Sequence, residues 1–385
     1  MFRFALKILR GDKAKYIGII LGLTFASFII VQQAAIFIGL MTRTFGFITD
    51  TSQSNIWVMD PKVQFVDDIK PMNITELFRV RSIEGVEWAV PLFKGIIRAS
   101  GKEGNFQNTI VIGIDNATFI GRPPVLLEGS IEALRNTDAI IVSKEGAENQ
   151  LANIDPKTGD KYPLQIGNTI ELNDNRAVVV GICDISRTFQ TQPVIYTTYR
   201  RAVRFAPTER KNLSFVLVKS APWIKPEDLC RRIERITGLS AYSDKQFTHL
   251  TVNYFLRRTG ILLNFGVAIV LGFIIGVAIA GQTFYNFTLD NLRYFGTFKA
   301  MGADNDLLKK MILLQSAVVG TIGWGLGIGA ASLFGLLSRG TQLSFRLPWP
   351  LFIGSFVAML LICLTSAYIS IHRIRRLEPA IVFKS

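Results

Sequence analysis

Thr259-Gly-Ile-Leu-Leu-Asn-Phe-Gly-Val-Ala-Ile-Val-Leu-Gly-Phe-Ile-Ile-Gly-Val-Ala-Ile-Ala-Gly-Gln-Thr-Phe-Tyr-Asn-Phe-Thr-Leu289 runs for 31 residues without a formal charge. About 20 apolar residues in a helix cross a bilayer core about 30 Å thick. Lipid offers the backbone no hydrogen-bond partner, so a run of this kind must be helical. At about 1.5 Å per residue it reaches roughly 46 Å. That excess predicts one continuous helix that projects beyond the membrane and couples it to the polar part of the chain.

Three further uncharged runs, 16–42, 311–338 and 347–372, are long enough to span. The whole chain of 385 residues is 49% hydrophobic with a mean hydropathy of +0.32, too apolar for an ordinary soluble protein. The fold class is therefore an α-helical membrane protein with four transmembrane helices, at 16–42, 259–289, 311–338 and 347–372, and one large polar segment, 43–256, between the first two.

A net charge of +14 ordinarily raises nucleic acid as a partner, but the polar segment carries only +2 of it and the remainder +12. The basicity belongs to the membrane flanks, and Lys and Arg beside spans favour the cytoplasmic side. Arg3, Lys7, Arg10, Lys13 and Lys15 precede the first span. Arg293, Lys299, Lys309 and Lys310 separate the second from the third, and Arg373, Arg375, Arg376 and Lys384 follow the fourth. Only Arg257, Arg258, Arg339 and Arg346 flank the opposite side. Both termini are expected inside, and segment 43–256 outside, in the periplasm of a cell with two membranes.

Residues 1–15 alternate apolar side chains with cations and predict an amphipathic helix on the inner leaflet. The apolar run behind it exceeds the roughly 7–15 residues of a cleavable signal core, so an uncleaved anchor is expected. In the polar segment, Asn55–Met59 reads as a strand. Asn73 and Glu76 have capping-box spacing ahead of a helix that Gly85 ends. Phe93–Ala99 and Phe106–Ile114 read as strands, as do Ala139–Val142, Thr169–Leu172, Ala177–Ile182, Val194–Thr197 and Leu213–Val218, with a hairpin turn at Asn173–Arg176. Pro226–Thr237 predicts a second helix. This order suggests an extracytoplasmic α/β module, 43–120 with 208–256, split by a β-rich insertion at 121–207.

Chemistry is sparse in this segment. The two histidines, His249 and His372, fall on opposite sides of the membrane, which leaves no two-His metal site. There is no G-x-S-x-G, and no G-x-x-x-x-G-K-[ST] loop for ATP phosphates, so no catalytic residue, metal or cofactor is expected. Cys183 and Cys230 share a compartment where a disulfide is permitted; buried free thiols are the plainer reading. Arg200, Arg201, Arg204, Arg210 and Lys211 form a basic run that reads as a solvated face. Gly272 and Gly276, and Gly323 and Gly327, have the small-xxx-small spacing of close helix packing.

The polar interruption between the second and third spans is the candidate docking element. Residues 290–310 are expected on the cytoplasmic side, with Leu292, Arg293, Tyr294, Phe295, Phe298, Lys299, Met301, Gly302 and Ala303 as the partner-binding set. Leu292 to Ala303, then Leu307-Leu-Lys-Lys-Met-Ile-Leu-Leu-Gln-Ser-Ala-Val-Val-Gly320 and its Gly-rich span, resemble the permease signature of the FtsX/MacB family of ABC transporters. Arg373-Ile-Arg-Arg-Leu-Glu-Pro-Ala-Ile-Val-Phe383, in the tail 373–385, is similar to that family's C-terminal arginines, proline and short apolar helix. Tyr294 and Gln315 depart from it, standing where the family often carries glutamate.

That resemblance implies a plasma-membrane permease that dimerises and engages separate ABC ATPase subunits, which alone bind ATP. It implies mechanotransmission: ATP-driven closure is relayed to the external domain, similar to the porter and accessory subdomains of such permeases. Efflux then proceeds with a membrane-fusion adaptor protein and an outer-membrane channel. A nearer similarity is to the free-standing, DevC-like permeases without a fused ATPase. The alternative use of the same machinery is to activate a cell-wall hydrolase or to release lipoproteins.

Overall fold

The computed structural model describes residues 13–51, 53–101, 106–154, 161–207, 213–291, 294, 296–298, 301–338 and 341–375. Two compact units emerge, a helical one (Met1–Leu40 with Gly260–Ser385) and an α/β one (Met41–Thr259). The amphipathic helix expected at 1–15 lies outside the described residues up to position 12; Lys13 already belongs to α1, Lys13–Asp50. Residues of α1 up to Leu40 pack in the helical unit, and Met41–Asp50 in the α/β unit.

The α/β unit continues with β1 (Ile56–Met59), α2 (Thr75–Arg81), β2 (Val86–Ser100), β3 (Phe106–Ile114), β4 (Val125–Gly129) and β5 (Ala139–Ser143). Then come β6 (Asn153–Ile154), β7 (Lys161–Tyr162), β8 (Thr169–Leu172), β9 (Asn175–Asp184) and β10 (Val194–Thr198). It closes with α3 (Tyr199–Phe205), β11 (Phe215–Ser220), α4 (Pro226–Thr237), β12 (Ser240–Ser243) and α5 (Asp244–Arg258). Nine strands order as β12-β1-β11-β2-β3-β10-β5-β9-β4, with β8 joined to β2 and β9.

The first four strands in that order come from β1-α2-β2 and β11-α4-β12, and adjacent ones are antiparallel. This is the split βαβ plait. β2 is the shared strand: Val86–Leu92 pairs with β11, and Phe93–Ser100 with β3. Beyond β3 the pairing to β10 is parallel, and so is that of β5 to β9, because helical or looped crossovers separate those strands in sequence.

Three apolar clusters hold the unit together. Ile56, Val58 and Val216 meet Val80 of α2 and Leu229 and Ile233 of α4 on one face of the plait. On the other face Trp57 packs with Phe215 and Phe247 of α5, ring centroids 5.5 Å apart in each pair, and with Phe47 of α1 at 5.7 Å. Ile97, Val111, Ile140, Ile170, Val179 and Phe205 form the core of the remaining strands. Each fully buried side chain of this size contributes roughly 1.5–3 kcal/mol.

Some of these expectations are corrected and others are met. Asn73 and Glu76 form no capping box: the Asn73 side-chain oxygen accepts from the Thr75 amide at 3.2 Å, and Glu76 pairs with Arg79 at 2.8 Å instead. The box forms at α5, where Ser243 and Gln246 satisfy each other's amides. The turn after β8 places both Asn173 (φ 48°) and Asp174 (φ 61°) in the left-handed region, as a type I′ hairpin requires. Cys183 and Cys230 are free and buried in separate clusters; burial pushes both thiols up to about 12.

Arg201 is not part of a solvated face. Its guanidinium donates to the carbonyls of Ala139 and Asn136, both at 2.7 Å, and of Leu134 at 3.2 Å. Arg204 pairs with Asp138, while Arg210 and Lys211 lie outside the described residues. His249 is exposed on α5.

In the helical unit, residues 13–40 of α1 are joined by α6 (Ile261–Asp290), α7 (Asn305–Leu337) and α8 (Trp349–Arg375). All four are long and apolar enough to cross a membrane. The expected continuity of the second span into the polar segment is broken at Gly260, whose φ of 68° stops the helical path between α5 and α6. An L-residue other than glycine is costly in that conformation. The helix that carries residues of both units is the first one.

Candidate functional site

The stretch between α6 and α7 is built from two closures. Asn291 ends α6: its amide reaches the Phe287 carbonyl at 3.2 Å, and its side-chain nitrogen the same oxygen at 2.8 Å. At the α6 terminus Lys15 of α1 pairs with Asp290. The described residues 294 and 296–298 are helical. That turn is stopped by Gly302 at φ 90°, where the Ala303 amide returns to the Phe298 carbonyl at 2.9 Å. This six-to-one bond around a left-handed glycine is the Schellman stop.

Phe298 anchors the stretch. It packs half-buried against Leu308, Met311 and Ile312 of α7 and Ala367 of α8. Tyr294 and Met301, by contrast, are 59% and 69% exposed. Gly302 is exposed and Ala303 half-buried. Leu292, Arg293, Phe295 and Lys299 lie outside the described residues. The result is a short polar stop between two spans, fixed from beneath by one ring and presenting a tyrosine and a methionine.

The glycines mark where the helices approach. A Cβ on Gly276 would lie 2.8 Å from Ala26 Cβ of α1 and 3.0 Å from Ile362 Cδ1 of α8, and one on Gly272 would lie 3.1 Å from Ile29 Cγ2. On α7, Gly323 backs onto Leu23 at 2.7 Å and Gly327 onto Ser27, whereas Gly325 and Gly329 meet nothing within 4 Å. Gly272, Gly276, Gly323 and Gly327 thus sit at crossings where α1 meets α6 and α7. Trp324 of α7 donates its indole N–H to Ser355 Oγ of α8 at 3.1 Å. Among the described residues, no group of three or more His, Cys, Asp or Glu side chains is gathered to hold a metal.

Residues 17–236 match the MacB-like periplasmic core domain, and residues 266–379 match the FtsX-like permease C-terminal domain. The first match alone spans more than half of the chain. The chain belongs to the FtsX/MacB type of ABC transporter permease.

Uncharacterized ABC transporter permeases from two strains of Mycobacterium tuberculosis, CDC 1551 and H37Rv, are each 23% identical to it over 219 residues. These matches cover 57% of this chain and 58% of theirs, so the chain matches little more than half the length of these curated relatives. The extracellular domain of the ABC-type transporter YknZ from Gram-positive bacteria is similar at 13% identity, with a TM-score of 0.34 over 49% of this chain and 98% of that one. The periplasmic region of MacB from Actinobacillus actinomycetemcomitans is similar at 11% identity, with a TM-score of 0.36 over 54% of this chain and 94% of that one.

As an FtsX/MacB-type permease, the chain combines four apolar spans with a periplasmic-type α/β domain. Its FtsX-like match contains the stretch between α6 and α7. Sequence reading treated Phe298 and Tyr294 alike, because apolar content marks a segment without giving the phase of its turns. The Gly302 stop sets that phase.

Proposed function

We propose that this permease transmits force rather than conducting substrate through its helices. A separate ABC ATPase, which alone binds and hydrolyses ATP, docks on the stretch from Asn291 to Ala303. Its nucleotide-driven closure moves the spans and, through them, the periplasmic domain, driving efflux with a membrane-fusion adaptor and an outer-membrane channel. Both chain termini and the docking stretch lie in the cytoplasm in this reading, which follows the basic flanks.

The observation that carries the reading is the disposition of Tyr294, Phe298 and Met301. One ring is committed to the helices, while two large side chains are offered outward beside a glycine stop, so a load on the surface pair is passed to α7 and α8 through Phe298. The permease works as a homodimer. Supporting that, the most hydrophobic stretch of α6 is the least covered of the four spans, with Leu263, Val267, Val270, Leu271 and Ile274 exposed.

Purification of the full chain with its native partners tests the reading. Recovery of an ATPase together with a periplasmic adaptor is the expected result. Recovery of the ATPase with a cell-wall hydrolase would replace export by enzyme activation. A chain that never retains an ATPase would overturn the reading.

A further inference from the structure

Within the α/β unit, the last turns of α1 are held by two separate segments that line one cavity with them. On the plait side, Lys94 of β2 is only 4% exposed; its ammonium pairs with Asp67, reaches the Val66 carbonyl at 3.3 Å and lies 4.4 Å from the Phe47 ring centroid. The second segment is the one that follows β9. The carboxylate of Asp50, the final residue of α1, accepts the Ser186 amide at 2.8 Å and the Ser186 hydroxyl at 2.9 Å. One turn earlier, Gly46 lies so close to the same residue that a Cβ on it would come within 2.7 Å of Ser186 Cβ.

Asp50 occupies a position that helix electrostatics disfavour. The C-terminal end of a helix carries partial negative charge and favours cations, yet the last turn of α1 holds no basic residue. Burial raises the Asp50 carboxyl above its ordinary range, the two Ser186 hydrogen bonds oppose that rise, and nearby Asp184 adds to it. The Ser186 bonds are thus what holds a half-buried carboxylate at this helix end.

Ser186 sits in a wall. Segment 184–192 and the facing segment 143–149, which includes part of the π-helical turn Gly146–Gln150, enclose a polar cleft of about 280 Å³. Arg187 Nε crosses it to Glu145 Oε2 at 3.1 Å, and the side-chain amide of Gln150 donates to the Thr191 carbonyl at 2.9 Å. The cleft wall is therefore tied directly to the end of the first helix.

We propose that Asp50 and Gly46 are positioning residues of a clip, closed on Ser186, through which movement of α1 is delivered to segment 184–192 and sets the width of the cleft. This rests on the force-transmitting reading above, with one difference: the resting clip needs no nucleotide to be detected. Gly46 permits the close approach, Asp50 supplies the bond, and Lys94 holds Phe47, one turn before Asp50, to the plait. A displacement of α1 then pulls the β9 wall while the plait stays with the helix.

Hydrogen exchange on the full-length chain in lipid nanodiscs tests the clip. Without nucleotide, Asp50→Ala should lower protection of the Ser186 amide by about 10- to 100-fold, the factor for losing a hydrogen bond to a charged group. Asp50→Asn, which keeps an acceptor oxygen, should restore most of it, and Ser186→Ala should leave its own amide protected. With the ATPase turning over, exchange in 185–192 should respond in the wild type and not in Asp50→Ala, while β1 stays protected in both. Unchanged Ser186 protection in Asp50→Ala overturns the clip. A wild type that binds its ATPase yet shows no response in 185–192 overturns delivery through it, and failure to bind any ATPase overturns the function reading separately.

Discussion

Replacing Gly276 of α6 by leucine probes the junction at which α1, α6 and α8 meet. A Cβ there would stand 2.8 Å from Ala26 Cβ and 3.0 Å from Ile362 Cδ1, closer than van der Waals contact, so even alanine forces two neighbours to yield. Alanine gains about 0.8–1 kcal/mol of helix propensity over glycine, against about 1–3 kcal/mol for overpacking a dense core. Gly276→Ala should therefore be destabilised by about 0–2 kcal/mol, the difference of those two ranges. Leucine adds an isopropyl group at the same crossing without further propensity gain, which places Gly276→Leu at about 3 kcal/mol or more. Gly325, on the same bundle, meets nothing within 4 Å, and Gly325→Ala should instead gain about 0.8–1 kcal/mol. Thermal denaturation of the three variants in one detergent, at one heating rate because membrane proteins unfold irreversibly, gives the order Gly325→Ala above wild type above Gly276→Leu. A Gly276→Leu protein as stable as the wild type would refute the three-helix junction.

At the Lys94–Asp67 pair the two deletions should differ. Lys94→Met keeps the stem packed near Phe47 and leaves Asp67, 38% exposed, to water, costing about 1–2 kcal/mol, whereas Asp67→Ala strands a buried ammonium and costs about 3 kcal/mol; chemical denaturation measures both, and equal losses would contradict the asymmetry. Asp244 accepts the Trp57 indole N–H at 2.8 Å, and burial raises its carboxyl above the ordinary 3.8. Its proton is held more tightly folded than unfolded, so this group's contribution is complete below the unfolded value and is lost as pH rises through the folded one. Asp244→Asn should flatten that decline in melts taken from pH 4 upward, and an unchanged profile would contradict the assignment. Cys183 and Cys230, held as thiols by burial, should resist maleimide at pH 7.5 in the native chain and react after denaturation, and intact-mass analysis should show no disulfide.

The spans were legible because charge is absent from them, and that signal does not depend on packing. β3, β8 and α4 were legible to the residue, since clean apolar periodicity ends there at turn formers. β2 was read short, as Phe93–Ala99: Pro91 interrupts its pattern, but the strand runs through it, with Pro91 opposite Val216. α5 was missed because its face is largely polar and its signature, Ser243 with Gln246, is short. Gly260 could not be recognised as a break from composition, because glycine is ordinary inside membrane helices and only its left-handed backbone separates α5 from α6. In the stretch between α6 and α7 the residue types were legible. Which of them face outward depends on the turn that Gly302 stops and on the pocket that α7 and α8 provide for Phe298.

The central claim is that ATP-driven force enters at the stretch between α6 and α7, and the affinity of the purified permease for its ATPase in nanodiscs tests it most directly. Tyr294→Ala with Met301→Ala removes the two large apolar side chains that are exposed among the described residues of the stretch, each worth about 1–3 kcal/mol if it fills a pocket on the partner, without touching the Phe298 anchor. If the stretch is the docking site, binding weakens by at least about tenfold, with the helical unit as stable as the wild type. Undiminished binding and undiminished ATPase coupling in that double variant would contradict it.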